Sequence, residues 1–296
     1  MNQETFQSEL TALISLLDDP SEQVYDSIRK KLLFYGSKAL PSLEDAWDNS
    51  FNSLIQDRIE EIIHHIQLND LRRELLSWAA HQRYDLLKGF FLVAKYQYPE
   101  LEEKLVYEQV ELIKRDVWLE LNQNLTALEK IKVLNHIIFD VHNFVPNKVR
   151  IDAPQNLFIN TLLESHKGNH LSLGILYTII ARKLGIPVFG VNLPQHFILA
   201  YVDEAHEGTF TVENENEVIF YINPFNKGAV FTRREIELFL KHVHLEPAPE
   251  YFLPCNNVTI IHRVLHELRN TYNKQGYTEK VNEVAMLIRA IEKLGI

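Results

Sequence analysis

Residues Gly168 to Leu199 read GNHLSLGILYTIIARKLGIPVFGVNLPQHFIL, and this stretch decides the fold. Leu171, Leu173, Ile175, Leu176, Ile179, Ile180 and Leu184 leave almost no polar face, so the spacing predicts a helix covered on most sides. Gly185 suits the position just past its end, and Pro187 prevents it from resuming. Arg182 and Lys183 complement the dipole in the last turn. Val188, Val191, Phe197, Leu199 and Tyr201 then supply the β-branched and aromatic residues of strands. A buried helix feeding a small sheet is the expected centre of the chain.

Upstream, the pattern is helical. Phe6, Leu10, Leu13, Ile14 and Leu17 recur at helical spacing before a break at Asp18-Asp19-Pro20-Ser21, where Ser21 is an N-cap candidate. Val24, Ile28, Leu32 and Leu33 form the next stripe, Gly36 and Ser37 interrupt it, and Ile55, Ile59, Ile62, Ile63 and Ile66 form a further one. Trp78, Leu86, Leu87, Phe90, Phe91 and Val93 continue the pattern as far as Pro99. Two more helices are expected from Leu105 to Leu121 and from Leu128 to Phe139, the second opened by a capping box of Thr126 and Glu129. A short helix over 155–165 precedes the central one. Strands are expected at 187–193, 196–202, about 208–212 and 217–222, with a solvated hairpin tip over 213–217. Thr232 caps a helix through Leu240, and residues 258–296 return to a helix pair.

Leu184-Gly185-Ile186-Pro187 closes the central helix, His196 begins a strand, and Asn223-Pro224-Phe225 follows a later one. In these three features the chain resembles the transglutaminase-like superfamily, specifically its SirB-type branch. The stretch DLLKGFFLVAKYQYPELE, residues 85–102, is similar to the lead-in helix of that branch. The resemblance covers roughly residues 84–250. It implies an α+β fold, mostly helical, with a papain-like core of a central helix on a small antiparallel sheet. It also implies a nucleophilic Cys at the start of that helix, but the position holds His170. The SirB-type branch resembles this chain in lacking the Cys and in carrying a Ser two residues on, here Ser172. Asn223 stands where the superfamily has Asp. Residues 18–47 resemble a HEAT-type repeat, and residues 258–296 resemble a tetratricopeptide unit. The expected organisation is therefore a HEAT-like segment over 1–70, a transglutaminase-like domain over 71–250 and a tetratricopeptide-like helix pair over 251–296.

Composition narrows the function. The 296 residues are 46% hydrophobic and 24% charged, enough to build real cores. A net charge of −10 and a pI near 5.7 argue against nucleic-acid and anionic-membrane partners, which need a clustered basic face. The single cysteine, Cys255, allows no disulfide within the chain and suits a reducing, cytoplasmic setting. No signal peptide is expected from MNQETFQSEL, and no apolar run approaches the ~20 residues of a membrane span. The composition leaves the oligomeric state open.

The candidate chemical residues are His170, Ser172, His196 and Asn223. His196 is either a core histidine or the general base and acid of an acyl-transfer site. Asn223 is a turn residue before Pro224, and could also orient the His196 ring. Asn169 is a good N-cap, so the amides from about Leu171 to Leu173 are expected to point at whatever lies before the helix, a geometry that would hold a small anion. Ser172 lies two residues past His170, about 200° around the helix, and so reads as a capping or packing residue. His262 and His266 have the i,i+4 spacing of a zinc-protease helix but lack a Glu after the first His, and His242, His244, His64 and His65 have no supporting ligands. No metal or cofactor is expected. Two functions stand open. One is a non-catalytic module that binds a protein or peptide. The other is a hydrolase or acyltransferase built on His196 and Asn223 with Ser172 or His170.

Overall fold

The computed structural model describes residues 3–150, 152–203 and 218–293. The chain divides into two units, Met1–Glu74 and Leu75–Ile296. In the first, the stripes read from the sequence become α1 (Gln3–Ser15), α2 (Glu22–Tyr35), α3 (Leu40–Asp48) and most of α4 (Ser53–Ser77). Leu10, Leu17, Ile28, Leu32, Leu43, Ile59, Ile62 and Ile66 close on one another as its core. Arg58 is buried beside that core. Its guanidinium donates to the Leu17 and Asp19 carbonyls at 2.7 and 2.8 Å and lies over the Tyr25 ring.

The second unit begins with three helices, α5 (Leu86–Gln97), α6 (Glu103–Glu120) and α7 (Ala127–Asn135). Asp85 caps α5 through Lys88 N, and the Thr126–Glu129 box opens α7 as the sequence predicts. A parallel two-stranded ribbon, β1 (Val145–Pro146) with β2 (Lys167–Gly168), brackets α8 (Ile159–Ser165) and delivers the chain to α9 (His170–Lys183). Every residue of α9 from Leu171 to Ala181 is buried. Gly185 takes a φ of 72°, the left-handed geometry that ends the helix before Pro187.

One four-stranded antiparallel sheet follows, in the order β3 (Val188–Val191), β4 (Ile198–Val202), β5 (Val218–Asn223) and β6 (Ala229–Phe231). Its register sets Val191 opposite Ile198, Leu199 opposite Ile222 and Tyr221 opposite Phe231. β4 is buried along its whole length, as a strand covered on both faces must be. Val191, Ile198, Ala200 and Tyr221 pack with Phe252 and with Ile236 and Leu240 of α10 (Arg233–His242). α9 packs against β3 and β4. Among the described residues no strand occurs before Val145, so the fold is α+β and mostly helical, as expected. The strand expected at 208–212 and the hairpin tip at 213–217 lie outside the described residues. β6 was not anticipated, because AVF is too short to carry a period-two signal.

α11 (Asn257–Lys274) and α12 (Thr278–Glu292) pack on each other, and α11 also packs along α5. This C-terminal pair falls inside the second unit and does not form a unit of its own. Asn257 ties it down by donating to the Arg83 and Tyr84 carbonyls and accepting from Arg182. Among the described residues no helix is long and apolar enough to cross a membrane.

Phe197 locks helix to sheet. A Cβ on Gly174 of α9 would lie 2.6 Å from the Phe197 Cδ1 and 3.3 Å from the Pro224 Cγ, and Gly190 of β3 faces the far end of the same ring. Gly→Ala within a helix ordinarily stabilises by about 0.5–1 kcal/mol. At Gly174 we expect the reverse, a loss of about 1–3 kcal/mol from overpacking in urea unfolding.

Candidate functional site

The candidate site forms where α9 begins. Asn169, at the N-cap, accepts from the Leu171 and Ser172 amides at 3.0 and 2.9 Å, and Ser172 Oγ accepts from the Asn169 amide at 3.1 Å. This reciprocal box saturates the Ser172 hydroxyl, which is wholly buried. His170 is the first helical residue. Its ring centroid lies 6.2 Å from that of His196 and 6.5 Å from that of Phe225.

His196 sits in the turn leading into β4, not in the strand where the sequence pattern places it. Pro194 and a positive φ of 62° at Gln195 follow the type II turn pattern, closed by the His196 amide donating to Leu193 O at 3.1 Å. The turn leaves His196 exposed, with Phe239 of α10 edge-on at 4.9 Å. The His196 ring makes no hydrogen bond among the described residues. Asn223 uses its Oδ1 to accept from the Phe225 and Asn226 amides at 3.0 and 3.2 Å. Its oxygen therefore builds the turn after β5 and brings Phe225 to the site, without accepting from His196.

Two residues absent from the sequence reading complete the site, and both come from α11. Arg263 Nη1 donates to Leu193 O at 2.9 Å and to the Asn192 side chain, and its guanidinium lies over Phe197. Arg263 thus pins the loop that carries His196. Its Nε lies 3.6 Å from Glu267 Oε1, and Glu267 also meets His170 Nε2 at 3.8 Å and the Asn169 side-chain amide at 3.4 Å. The available signal was an Arg–Glu pair at i,i+4 interrupting an apolar stripe of Val264, Leu265 and Leu268.

Burial governs the electrostatics. Desolvation, with Arg263 and His196 adding to it, depresses the His170 imidazole to about 3, so the ring is neutral near neutral pH. Its Nδ1 is buried with no hydrogen-bond partner. His196 is depressed in the same direction, again first by desolvation. Burial raises the Glu267 carboxyl, partly offset by Arg263. Cys255 lies beside Asn192 and within the field of Arg263, donating through sulfur to Gly190 O at 3.3 Å; burial pushes its thiol up to about 12, against the lowering effect of that charge. A thiol held in that state is a poor nucleophile.

Comparison with known proteins identifies a family. The family profile described as the transglutaminase-like superfamily matches residues 104–266, a span that takes in His170, His196, Asn223 and Arg263. The chain is 28% identical over 198 residues to a UPF0162 protein of Xylella fastidiosa, covering 63% of this chain and 64% of that protein. It is 22% identical over 198 residues to Protein SirB1 of Salmonella typhimurium, covering 66% and 69%. F-box only protein 21 of Homo sapiens is 27% identical over 159 residues, 54% of this chain, and the match spans only 24% of that longer protein. No solved structure gives a significant match.

The neutral, half-buried His170 makes stability depend on pH. Its folded value lies below the ordinary 6.5, so between those values the unfolded chain binds more protons and acid favours unfolding. The contribution is full above pH 6.5 and is lost as the pH falls towards 3, at up to ~1.4 kcal/mol per pH unit. His196 acts with the same sign. Glu267, raised by burial, opposes both once the pH nears the carboxylate range. We expect His170→Phe to flatten the loss of stability between pH 6.5 and 5, measured by urea unfolding at each pH. An unchanged slope would show that His170 protonates freely in the folded protein.

Proposed function

We propose a binding role and not a catalytic one for this chain, which belongs to the transglutaminase-like superfamily, with relatives in the SirB-type branch. In this reading the face at the start of α9 holds a segment of a protein or peptide, and the superfamily's nucleophile position has become part of the binding surface.

The observation that carries the proposal is the side chain at that position. Acyl transfer by covalent catalysis needs a nucleophile that a base can activate. At the start of α9 stands a half-buried, neutral imidazole with no partner on Nδ1, and among the described residues the His196 ring makes no hydrogen bond to a hydroxyl or thiol. Ser172 is the nearest hydroxyl in sequence, and its oxygen is engaged in the cap. A hydrolase or acyltransferase using Ser172 or His170 with His196 and Asn223 would first have to dismantle that cap or the Asn223 turn.

The same residues suit recognition. His170, His196, Phe225 and Phe239 form a platform of partly exposed rings, and Arg263 fixes the loop beneath one of them. Aromatic side chains supply contact area at low entropic cost. Such a platform fits a segment offering an apolar or aromatic anchor. The helical segments read as HEAT-like over 1–70 and tetratricopeptide-like over 251–296 would each suit interaction with a partner. The single cysteine favours a cytoplasmic setting.

The test is paired. The full chain is assayed for turnover with amine donors on a glutamine peptide, with activated esters and with a peptide substrate, and is also panned against a random peptide library. We expect no turnover above a heat-denatured blank, together with selected peptides whose binding is lost in a His196→Ala, Phe239→Ala double variant of unchanged circular dichroism. Turnover abolished by His196→Ala would establish catalysis and overturn the proposal. Equal binding of the selected peptides to the double variant would also overturn it, by placing recognition elsewhere.

A further inference from the structure

On the C-terminal helix pair, three side chains converge that the ring platform does not use. His262 and His266 lie one turn apart on α11, with ring centroids 4.4 Å apart. Their Nε2 atoms face each other at 3.3 Å, and Glu292, the last residue of α12, brings Oε1 to 3.2 Å from His262 Nε2. The three donor atoms all lie within 4.8 Å of one another.

From this convergence we propose that His262, His266 and Glu292 form a binding site for a divalent transition-metal ion of the zinc class. Zinc held at 2.0–2.2 Å by nitrogen and oxygen ligands in a tetrahedron sets neighbouring ligand atoms about 3.3–3.5 Å apart. The two separations above are already close to that spacing. Two imidazoles and one carboxylate are a donor set for zinc and its first-row neighbours, while magnesium and calcium prefer all-oxygen cages. Three ligands leave a fourth position for water. Glu292 and His262 retain side-chain exposures of 47% and 30%, so the ion has a path in from solvent.

Sequence spacing alone discards the histidine pair, because no Glu follows the first His. The third ligand instead comes from the other helix, 26 residues beyond His266, and only the α11–α12 hairpin brings it back. The ion would clamp the end of α12 to the middle of α11. Arg263 and Glu267, which face the start of α9, each directly follow one of the two histidines in sequence, so the clamp would also stiffen the helix that supplies them.

The experiment uses the full chain, stripped with a chelator and titrated with zinc chloride by calorimetry. Cobalt(II) absorption serves as an independent readout of coordination. We expect one zinc per chain, a rise in Tm on zinc addition and a tetrahedral cobalt spectrum. All three should be lost in His266→Gln and in Glu292→Gln and retained in His65→Gln, a histidine on α4. Glu292→Gln, at a half-exposed helix end, keeps the test decisive if His266→Gln fails to fold. Absence of stoichiometric zinc binding, or binding that persists in Glu292→Gln with an unchanged cobalt spectrum, would overturn the proposal.

Discussion

The Asn169 cap is the constraint on which the rest of this structure depends. Its side-chain oxygen takes two amides of the first turn of α9, and the Ser172 hydroxyl returns the bond to the Asn169 amide. Those bonds fix where the most buried helix of the chain starts. With that start fixed, position 170 is the first side chain to leave the helix, and position 172 is turned into the cap. Loss of an N-cap typically costs about 1 kcal/mol. Here the cap also decides which side chains the site can present, because the Asn169 amide group reaches Glu267 on α11.

The site is thus assembled from three sources that only the fold brings together. α9 supplies His170, the loops flanking β4 and β5 supply His196 and Phe225, and α11 supplies Arg263 and Glu267. Removing charges from water is costly unless they are paired, and the Arg263–Glu267 contact meets that cost in part while Asn192 and Leu193 take further guanidinium hydrogens. The resulting environment favours neutral rings at 170 and 196. It holds shape and aromatic surface in place.

Much of this was legible in the sequence, for local reasons. Asn169, Thr126 and Gly185 act within three or four residues of themselves, so the spacing reveals the capped helix starts and the left-handed stop. The unbroken apolar run from Leu171 to Ala181 announces a helix with no solvent face. The parts that escaped depend on distant contacts. Arg263 meets Leu193 across 70 residues, and Asn169 meets Glu267 across 98, and no local pattern encodes such pairings. The apolar neighbours of His196 read as a strand that includes it. The positive φ at Gln195 overrides that pattern, and glutamine gives no warning of it.

The central proposal is that position 170 lies in a field that would favour an anion and that the chain has no nucleophile there to use it. It is tested most directly by placing a thiol there, as His170→Cys in a Cys255→Ala background, and measuring the alkylation rate against pH. The Arg263 charge that disfavours an imidazolium at 170 favours a thiolate, and so does the positive end of the α9 dipole. The account predicts a thiol pKa below the free value of about 8.5. A thiol titrating at or above that value would contradict the claim, because position 170 would then lack the field that the superfamily's chemistry requires.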